Sequence, residues 1–221
     1  WFYKKKAKFI AISDSMSLEL KTFKIPNERI FKIVNGIDSS RFKKIIKSTT
    51  IKKNKNTFYI LSVGRNDSRK GFIFLIEAAE KLIKKKILDF KFIIKGRGFE
   101  NYLELIKKRN LSDFFCIYDL SFNIDFHIKR NFSDFYLPDV RTVSLYKIAD
   151  LVIIPSILES LSNIGLETEV SGKPLIVSDS VGCNEYIKRG TAIGFEQANT
   201  DDLVEKIIFL RKNKNIKEQL K

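Results

Sequence analysis

The sequence predicts an α/β fold: a parallel sheet with helices on both faces. Three observations carry this. Short apolar runs alternate along the chain with longer segments of helical character, the pattern of strands joined by crossover helices. The segment from Gly71 to Lys86 places Phe72, Leu75, Ile76, Ala79, Leu82 and Ile83 on one helical stripe. The apolar fraction, 44%, is enough to fill a core.

In order, Lys8 to Ile12 reads as a short strand, and Ser13 or Asp14 caps a helix running to Phe23. Ile25, Pro26 and Asn27 turn the chain into a strand from Arg29 to Val34, and Asn35-Gly36 reads as a turn pair. Residues 39–56 are polar and basic without a clear period, which reads as a connection between a domain closing at residue 38 and a second opening at residue 57. Thr57 to Val63 is the first strand of that second unit, followed by the helix from Gly71 to Lys86. A strand from Lys91 to Lys95, a helix from Phe99 to Lys108 and a strand from Phe114 to Tyr118 come next. Asp119 to Asp139 is longer than an ordinary connection, and its alternating Phe122, Ile124, Phe126 and Ile128 fit a hairpin strand. The chain then gives a helix from Thr142 to Ala149, a strand from Leu151 to Ile154, a helix from Ile164 to Val170 and a strand from Leu175 to Val177. A terminal helix from Leu203 to Arg211 is capped by Thr200 or Asp201.

The formal net charge is +15, from 41 Lys and Arg against 26 Asp and Glu. Lysine is spread along the chain among Ile and Asn, which reads as a compositional bias more than as a nucleic-acid surface. Two denser tracts, Lys43 to Lys55 and Lys84 to Lys86, would attract an anionic membrane weakly, by up to about 1 kcal/mol per basic residue close to it. No apolar run approaches the roughly 20 residues of a bilayer span, and the start has no basic-then-apolar leader with a cleavage site. Cys116 and Cys183 show no metal-ligand spacing and read as small apolar filler in a reducing, cytoplasmic compartment. The single histidine, His127, falls in the long connection and reads as structural or exposed.

The most informative stretch runs from Pro155 to Glu167, between the strand ending at Ile154 and the Gly172-Lys173-Pro174 turn. Glu159 and Glu167 would sit about 80° out of phase on one continuous helix. They converge more easily with Glu159 on the loop leaving the strand and Glu167 in the first turns of the helix. The helix N-terminus between them points unpaired amides into the same crevice, a site for an anion. Carboxylates for hydroxyls beside amides for phosphate make a place for a sugar nucleotide. Taken alone, the two glutamates read as solvated surface acids; the strand, Pro155-Ser156 and Gly172-x-Pro174 in register favour the functional reading.

This stretch resembles the E-x7-E signature of retaining glycosyltransferases of the GT-B fold, in particular family 4. The usual Gly-Phe-Gly portion is here Ser160-Leu161-Ser162, and Thr168 stands where Ala is usual. Phe9 to Asp38 resembles the closing part of the first GT-B domain, and Val63 to Gly71 the family's Gly-Arg, loop, Lys-Gly element. The resemblance implies a Rossmann-like domain over residues 57–221, the C-terminal half of such an enzyme, with residues 1–38 ending the first domain and 39–56 as linker. It implies that Arg65 and Lys70 hold the donor diphosphate and that Glu159 contacts the donor sugar, these three acting in the chemistry. Glu167 would bond ribose hydroxyls, and amides near Asn163, Ile164 and Gly165 would meet the phosphates. Gly64, Gly96 and Gly98 would let backbone approach the nucleotide. Arg69 reads as a solvated loop side chain, and Glu185 as a helix cap.

The implied reaction transfers a sugar from a UDP-, GDP- or ADP-sugar to a glycan or lipid-linked acceptor hydroxyl with retention, without an essential metal or other cofactor. It serves surface polysaccharide or glycolipid assembly, at the inner face of the membrane. Most of the acceptor site is expected in the first domain, so the chain alone should bind donor weakly and transfer little. The competing reading is a non-catalytic basic module for nucleic acid or another anionic partner, which explains the charge but not the paired glutamates.

Overall fold

A computed structural model describes residues 7–51, 53–119, 140–180 and 182–213. Apart from Asp119, the long connection with His127 lies outside them. Six parallel strands form the main sheet: β3 (Phe58–Arg65), β4 (Phe90–Arg97), β5 (Phe115–Asp119), β6 (Leu151–Ile154), β7 (Leu175–Ser178) and β8 (Ile193–Phe195). Their order is β5-β4-β3-β6-β7-β8. The chain steps outward from β3 to β5, then returns so that β6 lies on the other side of β3. That reversal opens a crevice beyond the carboxyl ends of β3 and β6, where open parallel sheets bind ligands.

Alternation along each strand builds two cores. Ile60, Leu151 and Ile153 face one side, with α3 (Ile73–Lys84), α4 (Glu100–Lys108) and α8 (Thr200–Lys212). Leu61, Val152 and Ile154 face the other, with α5 (Val140–Ile148), α6 (Asn163–Ser171) and α7 (Asn184–Lys188). All four residues of β6 are buried, as a strand covered on both faces requires. Cys183 is buried in the second core and Cys116 packs against it, both as free thiols. Burial pushes the Cys183 thiol up to about 11, so it stays protonated.

A smaller parallel pair, β1 (Phe9–Ala11) and β2 (Ile30–Lys32), stands before the main sheet with α1 (Asp14–Thr22) between its strands. Ser13 caps α1 as expected, accepting from the Met16 amide at 3.1 Å. Glu185 does not cap its own helix: its Oε1 accepts from the Asp14 amide at 2.5 Å, so it closes the start of α1 instead.

Several expectations need correction. Residues 39–56 are not without period: α2 (Ser39–Ser48) occupies most of them, capped by Asp38 accepting from the Arg41 amide at 2.9 Å. Phe42, Ile45 and Ile46 fall on one helical face and join the second core, while Arg41, Lys43, Lys44 and Lys47 stay exposed. Asn35-Gly36 makes no hydrogen-bonded turn; residues 33–38 are irregular. β3 and β4 run two residues beyond the expected ends, pairing Gly64 with Gly96 and Arg65 with Arg97, so these are strand positions and not loop positions. Asn199 caps α8, its side chain accepting from the Asp201 and Asp202 amides. The three-residue β8 at the sheet edge has no counterpart in the sequence reading.

Candidate donor site

Lys70 is placed by a single turn after β3. Asp67 accepts from the Arg69 amide at 3.0 Å and closes a 3₁₀ turn over Ser68–Lys70. Arg69 folds back on the same carboxylate, with Nε at 3.0 Å and Nη2 at 2.6 Å, and this holds Asp67 well below the usual carboxylate range. The turn ends at Gly71 with φ +65°, where a Cβ would lie 2.0 Å from the Pro155 carbonyl oxygen. Only glycine lets the turn sit on the end of β6 in this way. The loop leaving β6 is tied to the same turn, because the Ile157 amide donates to the Arg69 carbonyl at 2.7 Å.

The two loops therefore bring Lys70 Nζ and Glu159 Oε2 to 2.5 Å, with Ser156 Oγ 3.5 Å from the same oxygen. The pair is mostly shielded, with side chains 28% and 14% exposed. Beside it begins α6. Ser162 is its N-cap and makes no side-chain capping bond, and the first turn carries no acidic residue. Asn163 and Ile164, the first two helical residues, have no intrahelical acceptor for their amides. The positive end of α6 thus faces a cavity of about 240 Å³ lined by Gly64, Lys70, Ser156, Glu159, Asn163 and Ile164, among others. A cation, two amides and a carboxylate converge there on a space suited to a phosphate group.

Gly165 plays a different part from the expected one. Its amide already donates to the Ser162 carbonyl at 3.0 Å, and the Tyr186 ring lies against its Cα. The fully buried Tyr186 donates its hydroxyl to that same carbonyl, so it fixes the start of α6. Arg65 is exposed at the end of β3 and lines neither described cavity; its charge acts on Asp67. Gly96 lies where a Cβ would meet the Gly64 carbonyl oxygen at 1.6 Å, and the Gly98 carbonyl accepts from Asn66 Nδ2 at 2.5 Å. Both shape the β3–β4 rim, outside the 240 Å³ cavity lining.

Glu167 lines a second cavity of about 430 Å³, which shares Asn163 with the first and whose far wall is Ile10, Ile12, Ile33, Val34 and Ile37. Asn35 bridges the two sides, its Nδ2 donating to Asn163 Oδ1 at 2.7 Å. Glu167 is only 7% exposed, and burial raises its carboxyl from 4.5 to about 7, against the opposing pull of a hydrogen bond from Tyr146. Between those two values the folded state holds more protons than the unfolded one, so this group costs stability as pH rises. Stability is therefore expected to fall by about 2–3 kcal/mol between pH 5 and 8 on account of Glu167. Glu167→Gln keeps an acceptor for Tyr146 and should flatten that fall, as urea unfolding at the two pH values would show. Equal slopes for both proteins would refute the assignment.

Tyr146 and Asn35 are the neighbours of the site that sequence reasoning did not find. Nothing in one chain indicates that a phenol on α5 reaches a carboxylate on α6. Among the described residues no group of three His, Cys, Asp or Glu is placed to hold a metal ion, and no helix is long and apolar enough to cross a membrane.

The switch-point crevice, the cationic turn after β3 and the carboxylate loop after β6 sit on a Rossmann-like domain of the GT-B architecture. Residues 57–213 match the family described as "Glycosyl transferases group 1", and the chain belongs to that family. It is 31% identical over 188 residues to an uncharacterized glycosyltransferase of Methanocaldococcus jannaschii, covering 81% of this chain and 44% of that protein. It is 26% identical over 178 residues to the UDP-Gal:alpha-D-GlcNAc-diphosphoundecaprenol alpha-1,3-galactosyltransferase of Escherichia coli, covering 76% and 41%. Among solved structures, Anabaena HepE in complex with UDP and glucose superposes with a TM-score of 0.75 at 17% identity, over 97% of this chain and 56% of that one. The chain thus spans less than half the length of these curated relatives.

Proposed function

We propose that this chain carries the nucleotide-sugar donor site of a retaining, family 4-type glycosyltransferase. One observation carries the reading: Lys70, Glu159 and the uncapped start of α6 share one cavity at the switch point of the sheet. Breaking the bond between a sugar and a nucleoside diphosphate leaves negative charge on the departing phosphate. The Lys70 ammonium and the Asn163 and Ile164 amides are fixed where such charge would develop, so little reorganisation is needed. Lys70 exchanges part of its bond to Glu159 for a phosphate oxygen, and Glu159 is then free to accept from a sugar hydroxyl. Glu167, one helical turn further on, accepts from ribose hydroxyls in the adjoining cavity. Arg65 contributes its charge from the rim.

In this reading the donor is a UDP-, GDP- or ADP-sugar, no metal or other cofactor takes part, and the acceptor is a glycan or lipid-linked hydroxyl bound mainly by residues outside 57–213. The E. coli relative, named for a diphosphoundecaprenol acceptor, supports a role in surface polysaccharide or glycolipid assembly. The exposed lysines of α2 support weak contact with an anionic membrane on the cytoplasmic side.

A thermal-shift panel of UDP, GDP, ADP and their sugars tests this. A ligand at 100 times its Kd stabilises the folded chain by about 2.7 kcal/mol, a readily seen rise in Tm. One nucleoside diphosphate is expected to do so saturably. Silence across the panel, with steeply salt-dependent polynucleotide binding instead, would contradict the proposal.

A further inference from the structure

The Glu167 carboxylate is held from behind. Tyr146 on α5 donates its hydroxyl to Glu167 Oε2 at 2.7 Å in a buried setting, and the phenol itself is fully buried. Burial, then the neighbouring carboxylate, pushes the Tyr146 hydroxyl well above its ordinary value, so it remains a donor at every physiological pH. Glu167 itself also lines the 430 Å³ cavity. Tyr146 thus anchors one oxygen of a carboxylate that borders the cavity. Behind Tyr146 stands Phe42, the one fully buried side chain of α2, its ring at 5.6 Å and 65° to the phenol. The helix connecting the β1–β2 unit to the main sheet therefore ends its apolar face on the residue that grips Glu167.

Taking Glu167 as a donor ligand, as proposed above, we infer that Tyr146 is its positioning residue and that Phe42 of α2 buttresses Tyr146, so that the connecting helix sets the orientation of the donor-site carboxylate. The groups that act on Glu167 are few. Among the described residues, Tyr146 is the titratable side chain that bonds it, and Tyr186 of α7 acts in turn on Tyr146. The cations of α2, namely Arg41, Lys43, Lys44 and Lys47, lie on its exposed face. A carboxylate with one oxygen fixed by a neutral donor offers the other in a single direction, which suits a ligand presenting hydroxyls at fixed spacing. Without the phenol the carboxyl would lose the bond that favours its charged form, and its orientation would be set by packing alone.

The test uses Tyr146→Phe, which keeps the ring and removes only the hydroxyl, and Phe42→Leu, which keeps an apolar side chain there. The Glu167 carboxyl titration, followed by ¹³C NMR without ligand, needs no assumption about donor binding. Its midpoint is expected to move to higher pH in Tyr146→Phe; an unmoved midpoint would overturn the positioning role. The second readout is the Kd for whichever of UDP, GDP and ADP binds the wild-type chain. Tyr146→Phe is expected to weaken it about tenfold at pH 7.5 and to shift its pH profile upward, and Phe42→Leu to weaken it severalfold with the fold intact by circular dichroism. A wild-type chain that binds none of the three, with the titration shift still present, would remove the donor reading and leave the Tyr146–Glu167 coupling. Wild-type binding that neither variant changes would remove the proposed route through α2.

Discussion

Lys70→Ala is expected to weaken nucleoside diphosphate binding by about 10- to 100-fold, the value of one charge-assisted hydrogen bond to phosphate. Among the described residues, Lys70 is the one cation that lines its cavity. Arg69 is committed to Asp67, and Arg65 lies outside the lining. The change also leaves the Glu159 carboxylate, 14% exposed, without its cation in the apo protein. Glu159 would then repel the incoming diphosphate, so part of the loss comes from that unscreened charge. Lys70→Ala combined with Glu159→Gln separates the two contributions: binding should recover partly, though not to the wild-type level. Calorimetric titration with the diphosphate identified by the thermal-shift panel measures both. An unchanged Kd in Lys70→Ala would place the anion elsewhere.

Gly165→Ala is expected to destabilise the protein by about 2 kcal/mol. Helix propensity alone predicts the opposite sign, since Ala is favoured over Gly in a helix by about 1 kcal/mol. The new Cβ, however, would lie 2.1–2.5 Å from three carbons of the Tyr186 ring. That ring is fully buried and tethered to the Ser162 carbonyl, so it has little room to retreat. Overpacking of this kind costs about 3 kcal/mol and outweighs the propensity gain. For a chain of this length the net loss should lower Tm by roughly 4–8 °C. Because Tyr186 fixes the start of α6, the variant should also bind anions less well at the Asn163 and Ile164 amides. Differential scanning calorimetry on Gly165→Ala checks the first part, and a Tm at or above wild type would refute it.

The parallel sheet was readable because its strands are short, mostly apolar runs, and β6 from Leu151 to Ile154 fell where expected to the residue. The signature loop was readable for a local reason. A strand end, a small-residue loop and a helix start follow one another within about a dozen positions, so chain order alone places Glu159 and Glu167. Lys70 was legible because Asp67 to Gly71 is a self-contained turn. α2 was hidden because Phe42, Ile45 and Ile46 are diluted by seven cationic or hydroxyl neighbours, and a stripe of three is visible only once a partner surface is known. The Asn199 cap was masked by two equally plausible capping residues beside it. Arg65 was read as a loop residue because nothing in the local sequence indicates that β3 and β4 continue pairing to Arg65 and Arg97. The Tyr146–Glu167 bond depends on two helices meeting, which periodicity along one chain does not report.

The central claim is that one anion site joins Lys70, Glu159 and the start of α6. A crystal structure of the chain with the nucleoside diphosphate that stabilises it tests this most directly. The account predicts phosphate oxygens within hydrogen-bond distance of Lys70 Nζ and of the Asn163 and Ile164 amides, with the ribose toward Glu167. A diphosphate seated instead in the basic hollow of Lys53, Lys55 and Arg211, at the opposite end of β3, would contradict it.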